Sequence, residues 1–450
     1  MKPFPYQLPP VELLPPVCRQ VVANAPQSRK IPSFIALLGP LCALATRVRI
    51  HYYHDPMRLH ALLVQVIVEG EQSSGKSFAA DIERLIMDGT LKARDKLQRR
   101  IEQEYRERKR RRKANERMEE EPHTSIRVIP PTISKTMLTK RADNHDRFLG
   151  DTLTFWMFAE ELAQVTDAGK AGYSNLRTIM RTAYDLGSLF GMDFASDNSH
   201  SAITDINICS MFCATPSAVD KYYDRESIEG GNITRCILCP IDNQVENDDE
   251  LFQPFTELQR HMIDQTLQKM MDDTYNPDGS LAPTLELDMS WIDDACREFI
   301  HRKGREYAKC NRESVKVFRI RASVSAFRAT ALCYYLYQLD PERDWTEEEM
   351  REQCLQIYRF LSEYIMQGLL DRWGDVYDEL HAKRVTPSGA GKGSKPKLYD
   401  CCTEKFTRDQ LSLLIEQQQM KTDVRHFISL WKNLGLIEEV SKNVYRKLEP

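Results

Sequence analysis

Residues Gly70 to Ser77 read GEQSSGKS: one glycine, four residues (Glu71, Gln72, Ser73, Ser74), a second glycine at position 75, then Lys76 and Ser77. Each residue type has a use beside a phosphate. The glycines let the backbone curl so that successive N–H groups face an anion at a helix N-terminus. Lys76 can reach the outer phosphates of a nucleotide as a point charge, and the Ser77 hydroxyl can enter the coordination shell of a magnesium ion. A glycine turn that arises by chance has no particular flanks. This one follows the apolar run LLVQVIV (Leu62 to Val68) and precedes helical spacing at Phe78, Ile82, Leu85 and Ile86, the strand–loop–helix context that phosphate binding requires. The implied cofactors are ATP and Mg2+.

Such a loop needs an acid to hold the metal and polarise the attacking water, at the C-terminal end of a neighbouring apolar strand. The segment LTFWMFAEE supplies Glu160 and Glu161, the first charges after the strand that opens at Leu153. They read as the magnesium-side acid and the catalytic base respectively. Aspartate is the more usual first acid, so the division of roles between the two stays open, and an exposed acidic helix start is the alternative to both. The strand INICSMFCA ends at Thr215 and Pro216. There a small hydroxyl could touch the γ-phosphate or the water; a plain strand terminus explains it equally well. In GGNITRCILCP, Arg235 lies five residues after Gly230. It reads either as an arginine finger, within the chain or across a subunit interface, or as one half of a surface salt bridge.

Two further patterns carry less. Cys236 and Cys239 form a CxxC inside an apolar strand with no second pair downstream, so core thiols are expected rather than zinc ligands. The stretch GAGKGS has Thr386 where the phosphate motif needs its first glycine and Gly393 after Lys392, and no strand precedes it. It reads as a linker.

These residues need elements to position them. Residues 1–30 are rich in proline, with Pro3, Pro5, Pro9, Pro10, Pro15 and Pro16, and read as an extended arm. Residues 31–249 alternate helical spacing (Pro32 to Thr46) with strand signals at Val48–Tyr53, Leu62–Val68, Ser125–Ile129, Leu153–Phe158, Ile206–Ala214 and Thr234–Pro240. That alternation predicts an α/β layer structure with a mainly parallel sheet. Residues 250–383 are mainly helical, 384–399 form the linker, and 400–450 a small module. In that module a helix at Asp409–Gln418 and another at Thr422–Leu434 precede Gly435 and two short strands, Leu436–Val440 and Val444–Leu448. The order helix, helix, hairpin is that of a winged helix, with Lys421, Arg425, Ser429 and Lys432 opposite the apolar stripe from Val424 to Trp431.

Composition excludes several classes. The chain has 450 residues, 42% apolar and 28% charged, which is ordinary for a folded soluble protein. Twelve scattered cysteines suit reduced thiols in a cytoplasmic protein. The prolines after Lys2 do not make a signal peptide, and neither long apolar candidate makes a membrane span: Ile35–Val48 is short, and Val317–Leu339 carries three arginines. The net charge of −4 hides a segregation. Residues 91–118 carry thirteen Lys or Arg against five Asp or Glu, a local +8, which leaves −12 for the other 422 residues. A long exposed helix of this charge could release counterions from DNA, or be a solvated helix, or an interlocking subunit contact.

The loop at Gly70–Ser77, the FAEE acids, the Thr215–Pro216 strand end and the GGNITR segment stand in one order along the chain. In this the chain resembles a family of uncharacterised P-loop ATPases with a RecA-like or helicase-like core, carried by bacterial mobile elements, prophages and plasmids and often fused to or encoded beside primases. The resemblance runs from LPPVELLPP to about Pro240, with looser matches at YDLGSLFG and GGNITRCILCP. It implies an ATP-hydrolysing motor on DNA, single-stranded or duplex, in replication or mobilisation. It also implies a homo-oligomer, a hexamer among the forms, and a primase or other replication protein as partner. No primase or zinc-ribbon segment is present here. The rival readings are a nucleotide-gated loader or adaptor whose winged helix binds a protein, and a small-molecule kinase, against which the basic helix and the added module argue.

Overall fold

The computed structural model describes residues 6–112, 120–165, 176–185, 189–193, 200–241, 251–385, 398–418, 420, 423–433 and 435–448. The expected linker at Thr386–Lys397, with Lys421, Thr422, Leu434 and residues 113–118 of the basic segment, lies outside them. Contacts divide the chain into two units, Met1–Asp293 with Val324–Gly368, and Asp294–Ser323 with Leu369–Pro450.

In the first unit part of the expected proline-rich arm, residues 16–24, is helical rather than extended. Pro16 opens helix α1 (Pro16–Asn24), because its missing N–H is one a first helical turn leaves unpaired anyway, and Val17, Cys18, Val21 and Val22 bury its inner face. Helix α2 (Lys30–Leu44) is buried along nearly its whole length. It lies close on the sheet at Gly39, where a Cβ would stand 3.2 Å from both the Ser210 carbonyl and the Trp156 ring.

Strands β1 (Val48–Tyr52) and β2 (Asp55–Ala61) form an antiparallel pair. The second of these has no clear alternation and was not expected. Strand β3 (Gln65–Glu69) is buried at every residue. It begins three residues later than the apolar run, since Leu62–Val64 are buried without pairing as a strand. Helix α3 (Ser77–Met87) follows the glycine loop, and helix α4 (Leu91–Arg111) is the described part of the basic segment. Next come β4 (Val128–Ile129), α5 (Lys135–Leu149), β5 (Thr154–Ala159), the hairpin β6 (Leu189–Met192) with β7 (Ala202–Asp205), β8 (Asn207–Ala214) and β9 (Cys236–Pro240). The sequence predicted helical spacing where the hairpin stands.

The central sheet has five strands in the order β4-β5-β8-β3-β9, all parallel. Helices between successive strands make this α/β core, and it is consistent with a RecA-like arrangement. A separate short strand, β10 (Leu285–Leu287), pairs with β1 inside the region expected to be helical. Among the described residues, no helix is long and apolar enough to cross a membrane.

The basic helix does not protrude over its first half. Leu91 and Asp95 are buried there, as is Tyr105 farther along, and the buried Asp95 carboxylate accepts the Arg127 and Val128 N–H groups at 2.9 and 2.6 Å. Gln98 accepts the Ser125 N–H, and Arg94 donates to the Ser125 carbonyl. Side chains of α4 therefore satisfy backbone that would otherwise continue the strand, which is why β4 shrinks to two residues of the expected Ser125–Ile129.

His145 of α5 is fully buried, stacked on Phe155 with ring centroids 4.7 Å apart and with Nε2 3.1 Å from the Ile126 carbonyl. Burial, reinforced by Arg127, pushes its pKa down to about 3. The folded ring is neutral at pH 7, whereas the unfolded one titrates near its ordinary value of about 6.5. Its contribution is therefore complete above about pH 6.5 and is lost as pH falls towards 3, at up to ~1.4 kcal/mol per pH unit. In His145→Gln, the fall in the urea midpoint between pH 7 and pH 5 should shrink accordingly. An unchanged pH dependence would show that the buried imidazole does not drive it.

The second unit centres on Trp431, which is wholly buried with Tyr399, Phe406, Phe427 and Tyr445 around it and donates its indole N–H to the Ala308 carbonyl at 3.1 Å. A short helix, Leu398–Cys401, is followed by β11 (Lys405–Thr407), helices Arg408–Gln417 and Val424–Asn433, and the hairpin β12 (Ile437–Ser441) with β13 (Val444–Lys447). The sheet order is β11-β13-β12, antiparallel throughout. Thr407 and Gln410 form a capping box at the start of the first of those helices, and Gly435, at φ 65°, follows the second. Strand β11 was not expected, being only three residues long.

Candidate functional site

The glycine loop leaves the C-terminal end of β3, with β8 on one side and β9 on the other. Two of its residues have left-handed backbone, Ser73 at φ 61° and Gly75 at φ 72°. Gly70 is crowded for a different reason: a Cβ there would stand 2.4 Å from Ser74 Oγ, so that hydroxyl would have to move, and 3.3 Å from Ile241 Cβ. Glu71, Gln72, Ser73 and Gly75 are exposed, Ser74 is buried, and Ser77 stands exposed at the first position of α3. That helix starts without a side-chain cap, which leaves its first amides for an anion.

Lys76 folds back over its own loop. Its ammonium donates to the Gly70 carbonyl at 2.7 Å, to the Glu71 carbonyl, and to Ser74 Oγ at 3.2 Å. Burial lowers its pKa, while the neighbouring Cys213 and Glu71 act to raise it. These acceptors are neutral, so a phosphate competes well for the same charge.

Strand register locates the remaining candidates. Ala214 pairs with Glu69, and the Gly70 N–H donates to the Ala214 carbonyl at 3.0 Å, so Thr215 adjoins the first glycine of the loop. Its hydroxyl accepts the Ala218 N–H as the cap of helix Pro216–Tyr222. Ala159 pairs with Phe212, and Phe212 with Ile67, so Glu160 emerges level with Cys213 and Val68 at the same sheet edge as the loop. With β8 between β5 and β3, Glu160 starts about 10 Å from the loop strand, a gap that a hydrated cation and a phosphate can bridge. Burial pushes the Cys213 thiol up to about 12, with Lys76 pulling it down and Glu160 pushing it further up. The lysine and the carboxylate thus act on one buried group. Glu160 and Glu161 are both exposed. One hydroxyl and one solvent-facing carboxylate suit Mg2+, a hard cation that keeps several of its waters.

Arg235 is not at this edge, which corrects its reading as an in-chain arginine finger. Cys236 pairs with Gln65 at the start of β3, and Arg235 lies in the 3-10 turn before it, about 16 Å from the loop edge along a five-residue strand. Its guanidinium pairs with Asp185 at 2.6 Å and donates to the Gly231 carbonyl at 3.0 Å. Cys236 and Cys239 are both buried, their thiols directed at the Ile233 and Pro32 carbonyls. No group of three or more His, Cys, Asp or Glu among the described residues could hold a metal.

Two residues absent from the sequence reading meet this site. Glu83 on α3 is buried, accepts the Trp156 indole N–H at 3.0 Å and pairs with Lys92 at 2.6 Å. It ties the loop helix to the acid strand and to α4. Arg29, before α2, donates to the Ser74 carbonyl at 2.9 Å. Neither has a spacing signal, because both are linked to the loop through the fold. Two clefts lie along α4: one lined by Lys96, Arg99 and Arg100, the other by Glu102, Arg106 and Lys109 among others.

No family model matches this chain, and no curated protein matches it. Among solved structures, the chain is similar to one titled "SCCmec type IV Cch - active helicase", at 10% identity and a TM-score of 0.28, covering 92% of this chain and 67% of that one.

Proposed function

We propose that this protein is an ATP-hydrolysing, helicase-like motor that acts on DNA in the replication or mobilisation of a bacterial mobile element. The observation that carries the ATPase part is the convergence of Gly70–Ser77, Thr215 and Glu160 at one edge of a parallel sheet. In this reading Gly70, Glu71, Gln72, Ser73, Ser74 and Gly75 wrap the phosphates and Lys76 neutralises them. Ser77 and Glu160 would hold Mg2+, which supplies charge neutralisation across the phosphates. Glu161 or Glu160 orients the water, and Thr215 stands beside it. Arg235 belongs to the mechanism only in a homo-oligomer, where it would face the nucleotide of the next copy after leaving Asp185.

The DNA part rests on α4 and the C-terminal module. Lys96, Arg100, Lys109, Arg110 and Arg111 are exposed, whereas Lys92, Arg94, Arg99 and Arg106 already have partners within the chain. The order of elements from Leu398 to Lys447 is that of a winged helix. One observation favours the second reading, a nucleotide-gated loader or adaptor whose winged helix binds a protein. Lys432, on the face that would meet DNA, is committed to Glu439.

The two readings separate in one experiment, the ATP hydrolysis rate with and without single-stranded DNA, followed by strand displacement. The motor predicts stimulation by DNA and unwinding. In Lys76→Ala, apparent ATP affinity should fall about 10–100-fold, the worth of a charge-assisted contact, and stimulation should disappear. Slow hydrolysis indifferent to DNA would sink the motor and favour the adaptor.

A further inference from the structure

We infer that Arg29 is a positioning residue of the phosphate loop, acting through the Ser74–Gly75 peptide. The inference rests on the nucleotide-binding reading of that loop and adds a residue to it from another part of the chain.

Arg29 occupies the position before the first turn of α2, in a short 3-10 turn, Gln27–Arg29, closed by its own N–H on the Pro26 carbonyl at 2.8 Å. Helix α2 is well placed to hold it still. The helix is buried against the sheet, approaches Ser210 and Trp156 at Gly39, packs along α3, and directs the Pro32 carbonyl at the Cys239 thiol of β9. From this support the guanidinium donates to the Ser74 carbonyl at 2.9 Å, and a Cβ on Gly75 would stand 3.8 Å from the same nitrogen.

The Ser74 carbonyl and the Gly75 N–H belong to one peptide unit. A cation on the carbonyl draws electron density from the amide, so the N–H at the other end becomes a stronger donor. That N–H lies in the left-handed turn of the loop, where Gly75 has φ 72°. In the bound state it faces the phosphate shared by ADP and ATP. Arg29 therefore does two things at once: it fixes the orientation of a peptide that a glycine alone leaves loose, and it polarises the donor. Lys76 neutralises phosphate charge directly, whereas Arg29 acts on it through the backbone.

The test is titration of wild type, Arg29→Ala, Arg29→Met and Arg29→Lys with ADP and with ATP by calorimetry, together with KM and kcat for hydrolysis and the thermal midpoint of each protein. Arg29→Ala should bind ADP and ATP more weakly by the same factor, about tenfold. The loss should fall on KM rather than kcat, without a matching drop in thermal midpoint. Arg29→Lys, which keeps a cationic donor, should recover most of the affinity. Arg29→Met keeps the apolar stem of the side chain and removes the donor, so it gives the same reading if the alanine variant does not fold. Wild-type affinity in either neutral variant overturns the role, as does a loss confined to ATP, which would mean direct contact with the terminal phosphate. If wild-type protein itself binds neither nucleotide, the nucleotide reading fails and Arg29 fails with it. If wild type binds and only Lys76→Ala is impaired, the reading stands and Arg29 alone is excluded.

Discussion

Glu160→Gln is expected to lower ATP turnover by about 10²–10⁴-fold, the range for loss of a positioned acid or base, and to raise the Mg2+ concentration needed for half-maximal rate. The substitution preserves shape, removes the charge and replaces one accepting oxygen with a donating NH2. Glu160 emerges level with Cys213 on the strand next to the one that reaches the loop. Glu161→Gln separates the roles. If Glu161 is the base, turnover falls with the Mg2+ requirement unchanged; if Glu160 serves both purposes, Glu161→Gln stays near wild type. Wild-type turnover in Glu160→Gln would remove this carboxylate from the mechanism, whatever the fate of the loop.

Arg127→Ala is expected to destabilise the first unit by about 3–5 kcal/mol, the usual cost of removing one partner from a buried charged network. Arg127 has no exposed surface. Its guanidinium donates to the Thr154 carbonyl at 2.9 Å, to the Ala43 carbonyl and to the Tyr275 hydroxyl at 3.3 Å. One side chain thus joins β5, the end of α2 and the segment after residue 272. Truncation leaves two buried carbonyls without a donor, opens a cavity and takes a cation from the neighbourhood of Asp95, whose carboxylate burial already pushes above its ordinary pKa. Arg127→Met restores volume but no donor, so it should recover only the cavity part. Urea unfolding followed by tryptophan fluorescence checks both; a loss under 1 kcal/mol in Arg127→Ala would show that water replaces the guanidinium.

The parts of the site legible in the sequence are those whose chemistry is local. GEQSSGKS is read from one stretch of eight residues, and LTFWMFAEE and INICSMFCA reveal their strands because both faces of a central parallel strand are buried and apolar. The register that brings Glu160 and Thr215 to the same sheet edge as Gly70 is a non-local property, as is the placing of Arg235 at the opposite edge. Arg235 looks like an in-chain finger when only its distance from Gly230 is considered; the direction of β9 puts it at the far edge from its own chain's loop. Arg29 and Glu83 were invisible for the same reason, since a charged residue near a helix start or in a helix is ordinary on sequence grounds. Strands β2, β10 and β11 and the hairpin of β6 and β7 escaped because they are short or half exposed and lack a clean alternation. The basic segment, expected as one exposed helix over residues 91–118, is helical from Leu91 to Arg111, but its charge does not reveal that Asp95, Gln98 and Arg94 bind the start of β4.

The order of the central sheet also bears on how the chain is made. Strand β3 ends at Glu69, but both strands that flank it come much later, β8 from Asn207 and β9 from Cys236. On a ribosome adding roughly 5–20 residues per second, the 138 residues from 69 to 207 take on the order of 7–28 s. For that interval the strand that leads into the glycine loop lacks both of its neighbouring strands, while α2, which packs on it, is already synthesised. Production yield should therefore respond to translation rate and to chaperone supply more than the stability of the finished protein would suggest.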